Sequence, residues 1–257
     1  MKINTNKMTF QYCILQGAYW ASFCIIYSFA TVFLLDRGFS NSQIGVIIAA
    51  GNILGVVLQP VFASIVDWSK TITLHKLTGI LAAIMALLVL FLYVLPNLFF
   101  AVVLLFLMTD TLLQVIQPLI NSVSVYYVNK GINVDFGAAR GIGSLSYAAA
   151  SYLLGGLVER YGCSVILVAG FLMVTIISAT VFSMPIIKEA AEEVCAKSLQ
   201  DTPSHTISQE SKEKESIIFF IGRYKYFMLT LVGITLLFSF HNMNNSYMIQ
   251  IITHVGG

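Results

Sequence analysis

Apolar runs of about 20 residues recur from one end of this chain to the other, each long enough to cross a hydrocarbon core as a helix. Nothing else in the sequence constrains the fold as strongly, because only helices and closed barrels satisfy their own backbone groups in lipid. The runs are rich in Leu, Ile, Val, Phe and Ala and lack the short polar/apolar alternation of a barrel strand, which sets the barrel aside. Hydrophobic residues make up 58% of the 257 residues and charged residues only 10%, with a mean hydropathy of +0.84. A water-soluble domain could not bury so much apolar surface, so the chain reads as an all-α polytopic membrane protein.

Seven spans are expected: Tyr12 to Leu35, Ile44 to Val66, Leu74 to Leu95, Leu98 to Tyr127, Ala139 to Val158, Cys163 to Ile187 and Tyr226 to Ile252. The first run is long and aromatic-rich, without a small-residue cleavage pattern, so it is expected to stay as a span. With the N-terminus in the cytoplasm, 12 of the 14 basic residues fall in inside segments and only Arg37 and Arg160 lie outside. That asymmetry predicts a cytoplasmic N-terminus and a multi-pass protein of the plasma or inner membrane. Between Lys188 and Lys225 the composition turns to Glu, Lys, Ser, Thr and Gln, too polar to order itself. The expected division is a six-span bundle over residues 1–187, a cytoplasmic linker over 188–225 and a further span in 226–257.

Several function classes drop out. The four cysteines are scattered singly, with no metal-ligand or redox spacing, so no metal and no cofactor is expected. The basic residues form no patch with interleaved aromatics, which argues against nucleic acid as a partner. No His-Glu-x-x-His, paired intramembrane Asp or Gly-x-Ser-x-Gly arrangement appears, so an intramembrane enzyme is not expected. A seven-span receptor would need the opposite orientation, and a retinal-binding pump would need a lysine that Tyr226 to Ile252 lacks. His75 and His205 read as solvated loop residues.

The polar residues inside the apolar runs carry the chemistry. Asp110 alone among the acidic residues falls near the middle of a span, where a carboxylate costs about 2.5–3.5 kcal/mol on insertion scales. Asp110, Gln114, Gln117 and Asn121 recur at i, i+4, i+7 and i+11, which stacks them on one helix face. Either this face lines a path for solute and protons, or its amides act as packing glue between helices. Desolvation narrows the gap between charged and neutral carboxyl, which makes Asp110 a candidate for taking up and releasing a proton. Pro118 on the same helix removes one backbone hydrogen bond and is expected to kink the span beside the stripe. Arg140 lies one turn into the fifth span, some 18 Å from the level of Asp110 at about 1.5 Å per residue, too far for a direct pair. Tyr147 stands two turns further on, on the same side, as a candidate ring for stacking on a solute. In the last span, His241 is a second candidate proton site, and Asn245 shares a polar face with Asn242.

At Leu58-Gln59-Pro60-Val61-Phe62 leading to Asp67, and at Asp135-Phe136-Gly137-Ala138-Ala139-Arg140-Gly141-Ile142-Gly143-Ser144, the chain resembles the major facilitator superfamily. The nearest likeness is to its proton-linked sugar symporters, the lactose permease-like branch, over roughly Tyr12 to Ile187. The resemblance implies a six-helix N-terminal bundle built as two inverted three-helix repeats, with a solute site near the midplane, followed by a seventh transmembrane helix. It implies that Asp67 is the acid of a cytoplasmic gate, that Arg140 binds solute hydroxyls and that Tyr147 occupies the stacking position. Tyr27 fits a cavity-facing position of that branch. The pattern departs at two places: around the acid Asp67, Ala63 and Trp68 stand where glycine and a base belong, with the first cation delayed to Lys70, and Asn121 or Ser122 stands where an acidic partner for the arginine belongs.

The function expected from residues and resemblance together is secondary active transport by alternating access, with proton-coupled, sugar-like symport of a small organic solute. The alternatives are an exporter of drugs or metabolites, and a truncated half that does not transport. The expected partners are the solute, protons and the lipid bilayer. A C-terminal bundle beyond Gly257, or a second chain, completes the transporter on this expectation.

Overall fold

The computed structural model describes residues 5–69, 72–95, 98–187 and 224–255, with the side chains of residues 67 and 241–255 outside that set. Two compact units, Met1–Ile187 and Lys188–Gly257, divide the chain. In the first unit the helices are α1 (Thr5–Phe23), α2 (Ala30–Asp36), α3 (Asn41–Trp68), α4 (Leu74–Val94), α5 (Phe99–Asn129), α6 (Phe136–Tyr161) and α7 (Ser164–Ser183). The second unit contributes α8 (Lys225–Val255), the helix expected over Tyr226 to Ile252.

Local chemistry sets where these helices start. At Ser40 a reciprocal cap begins α3: the Ser40 hydroxyl accepts from the Gln43 amide at 3.4 Å, and the Gln43 side chain accepts from the Ser40 amide at 2.9 Å. The Thr73 hydroxyl caps α4 by accepting from the Lys76 amide. The Asp135 carboxylate accepts from the Ala138 amide at 2.9 Å, which starts α6 at Phe136, three residues earlier than the apolar run suggests.

Five of these helices, α3 to α7, are long and apolar enough to cross a membrane singly. The first span, expected as one helix, is broken: α1 passes through a π-helical turn at Cys24–Ser28 and meets α2 at a 42° bend. No proline lies there; the Phe29 amide reaches back to the Cys24 carbonyl at 3.3 Å, the wider ring of a π turn, and this loosens the ladder.

Helix α1 packs on α6 and α7, α3 on α5, and α4 on α5 and α7. Exchanging the first three spans for the last three turns the pair α1–α6 into α5–α3 and the pair α4–α5 into α7–α1, and leaves α4–α7 unchanged. The core they share is sealed by Tyr12, Tyr19, Met85, Leu113, Ile116 and Tyr127, all buried. Burial is uneven: 50% of the most apolar stretch of α4 lies inside the protein, but only 22% of that of α3 and 11% of that of α6. The long apolar faces of α3 and α6 are therefore left outside the bundle.

His75 is not the solvated residue expected from the sequence. It falls in the first turn of α4 and is 2% exposed. The Tyr127 hydroxyl donates to the Pro185 carbonyl at 2.9 Å, so its lone pair is what meets His75 Nε2 at 3.0 Å, and the ring stands edge-on to Tyr126. Contact with the Tyr126–Tyr127 pair of α5 buries a histidine that its neighbours in sequence would leave in water.

Candidate functional site

The polar stripe of α5 faces α3 along one half of its length and α1 along the other. Asp110 is 1% exposed, and neither carboxylate oxygen has a hydrogen-bond partner in the structure. It fits there because Gly51 of α3 lies opposite: a methyl group at Gly51 would overlap the Asp110 carboxylate. One turn along, Gly55 makes the same room for Gln114, whose Cβ would stand 2.8 Å from an added methyl. Gly51 and Gly55, one turn apart on α3, therefore make room for a particular pair of polar side chains.

Gln114 differs from Asp110 in being tied on both sides. Its side-chain amide donates to Asn52 Oδ1 at 2.9 Å, and the Asn52 amide donates onward to the Tyr27 hydroxyl at 3.3 Å. Its backbone carbonyl is the one that Pro118, four residues later, cannot serve, and Gln59 Nε2 donates to it at 3.1 Å instead. Helix α5 runs from Phe99 to Asn129 with Pro118 inside it.

At the other half of the stripe Asn121 meets α1. Gln16 Nε2 donates to Asn121 Oδ1 at 3.1 Å and to the Tyr12 hydroxyl at 2.7 Å, while its carbonyl oxygen accepts from the Trp20 indole N–H at 3.2 Å. The Arg140 guanidinium lies over the Trp20 ring, 3.9 Å from its centroid, an arrangement worth about 0.5–2 kcal/mol. Arg140 Nη1 is buried without a partner. Trp20 itself sits in space left by Gly143, where an added methyl would come within 2.5 Å of the ring.

Sequence-predicted site residues thus separate into groups. Asp110, Gln114 and Tyr27 gather on α3, while Asn121 and Arg140 gather on α1 through Gln16 and Trp20. Gln117 is half-buried between them. Tyr147 exchanges a hydrogen bond with Ser28 at 2.8 Å, next to the broken part of the first span. Asp110 and Arg140 are not in contact, and the buried Tyr19 hydroxyl donates to the Leu113 carbonyl at 3.2 Å. Asp67 lies on α3 and His241 and Asn245 on α8, but their side chains fall outside the described residues. Among the described residues no cluster of His, Cys, Asp or Glu could hold a metal ion.

Four participants escaped the sequence reading: Gln16, Trp20, Asn52 and Gln59. Asn52, a single amide inside an apolar run between Gly51 and Gly55, carried a signal of the same kind as Asp110. Gln16 in the first run carried another.

This is a multi-pass helical membrane protein with a buried polar face between its helices, the class to which membrane transporters belong. The model of the MFS_1-like family matches residues 12–256, and the chain belongs to that family, within the major facilitator superfamily. The match extends past the six-helix unit into α8. Comparison with curated proteins and with solved structures gave no match. Membership makes the chain a membrane transporter in general terms.

Proposed function

We propose that the bundle of α1 to α7 is the working half of a secondary active transporter that moves a small polar, sugar-like solute together with a proton by alternating access. The observation that carries this reading is Asp110, a carboxyl group buried in a span with both oxygens unpartnered, in a space that Gly51 keeps open. Packing glue accounts for Gln114, whose amide is bonded, but a carboxyl without a partner adds only cost to a bundle, of the order of 1–3 kcal/mol or more. A group that binds and releases a proton during the cycle explains why it is kept.

Two further features support the reading. The self-consistent exchange of helix pairs is what two inverted three-helix repeats would generate. The bare apolar faces of α3 and α6 suit a second bundle against which the first would rock. In this scheme the N-terminus is cytoplasmic, as the basic residues suggest, and the protein resides in the plasma or inner membrane.

Reconstitution of the full chain in vesicles with an entrapped pH dye tests the scheme. Addition of a transported solute under an inward proton gradient is expected to speed acidification of the interior. Solute entry with no proton movement would remove the coupling, and no entry of any small polar solute would remove transport.

A further inference from the structure

We propose that Arg140 and Trp20 form an anion-binding subsite and that the solute carried by this bundle bears a carboxylate. This rests on the transport reading above and makes its substrate class narrower. A guanidinium stacked by its face on an indole keeps its N–H donors around its edge, and here one of them, Nη1, is buried and unpartnered. The stack is fixed in place on the Trp20 side, because the indole N–H is held by Gln16 and the ring fills the space beside Gly143.

None of the side chains that hold this corner is an acid. Gln16, Asn121, Trp20 and Tyr19, whose ring stands edge-on to Trp20, are amides, an indole and a phenol. Asp135, the nearest acid along the helix, is exposed and is engaged by the Ala138 amide. Asp110 has two unpartnered oxygens of its own and does not reach Arg140. A guanidinium is a cation, and with no acid at this corner its counter-charge is left for a ligand to supply.

A neutral polyol would give the fork an acceptor and leave the charge. A carboxylate gives both, with two parallel N–H···O bonds matched to the planar donors. In the loaded bundle a carboxylate would then balance Arg140 while a proton balances Asp110, so neither charge crosses the membrane region bare.

The test uses the full chain in detergent with Trp68→Phe, which leaves Trp20 as the single tryptophan of the original 2. Its emission is followed on addition of lactate and glucuronate, of their neutral counterparts lactamide and glucose, and of inorganic phosphate. A saturable change with at least one of the two acids, and none with its neutral counterpart, is expected. Arg140→Gln should raise the half-saturating concentration about 10-fold or more, and Arg140→Lys, which keeps the charge but loses the fork, by less. Equal response to acid and neutral counterpart, response to phosphate alone, no response to either acid, or an acid response unchanged in both Arg140 variants would overturn the subsite. No gradient is involved, so the two readings fail separately. Acid binding without vesicle uptake would sink transport and keep the subsite, whereas proton-driven glucose uptake without acid binding would do the reverse.

Discussion

Helix pairs α3–α5 and α1–α6 use one device to opposite ends. Each brings two helices close by setting glycine against a large or polar side chain: Gly51 against Asp110 in the first, Gly143 against Trp20 in the second. Each ends in an ionisable group with an unpartnered polar atom, a carboxyl in the first and a guanidinium in the second. The difference lies in what surrounds them. Arg140 has a ring to rest on and amides nearby, whereas Asp110 has no hydrogen-bond partner at all. A bundle built only for stability would have satisfied or removed both groups. Keeping them apart, with opposite sign and in pairs that the exchange of three-helix halves interconverts, fits a site meant to be completed by a ligand and a proton.

The glycines give the sharpest way to break this comparison. Gly51→Ala should destabilise the detergent-solubilised protein most, by about 1–3 kcal/mol, because the new methyl overlaps the Asp110 carboxylate in a packed crossing. The double variant with Asp110→Ala should recover most of that loss in a thermal unfolding assay. Recovery absent from the double variant would mean that Gly51 serves the backbone approach and not the carboxyl.

Gly143→Ala should cost somewhat less, within about the same 1–3 kcal/mol range, since the half-buried Trp20 ring can shift. Its more telling effect is on Trp20 emission, which should move when the ring leaves Arg140; an unchanged spectrum would argue that the stack is not held by that glycine.

Gln59→Ala is expected to cost about 1–2 kcal/mol by stranding the Gln114 carbonyl that Pro118 leaves unserved. With Pro118→Ala in place the helix supplies its own donor, so Gln59→Ala should then be nearly neutral. Unfolding midpoints of the two single variants and the double variant measure that coupling, and strict additivity would contradict it. Smallest of all, Gln114→Ala should lower stability by about 1 kcal/mol and leave proton-driven uptake largely intact, as expected of an amide that serves packing. A loss of coupling as large as that of an Asp110 variant would erase the distinction drawn between the two residues.

The helices were legible in the sequence because run length and composition are properties of a single segment, and so was the stripe on α5, which needs only the helical period. What one segment cannot reveal is its neighbour. The amides Gln16 and Asn52 became part of the site because α1 and α3 cross α5, and the spacing along one helix carries no word of that. Trp20 reached Arg140 for the same reason, through a crossing that depends on Gly143. The break at Phe29 was hidden because no proline or glycine marks it. His75 was misjudged because a position at the edge of an apolar run exposes a residue only if no other helix covers that edge, and here the end of α5 does. The tie between Pro118 and Gln59 was half visible: the lost hydrogen bond was foreseen, and its replacement from another helix was not.

Asp110→Asn separates the central claim from its rivals most directly, since the amide preserves shape and removes the ionisable proton. The measurement compares, in the same vesicles, accumulation of a transported solute driven by a proton gradient with exchange of that solute across the membrane in the absence of a gradient. The predicted result is loss of accumulation by about 100-fold, the scale of a few kcal/mol of coupling, with exchange retained as proof of a folded bundle. Accumulation equal to that of the unaltered protein would contradict the role assigned to Asp110.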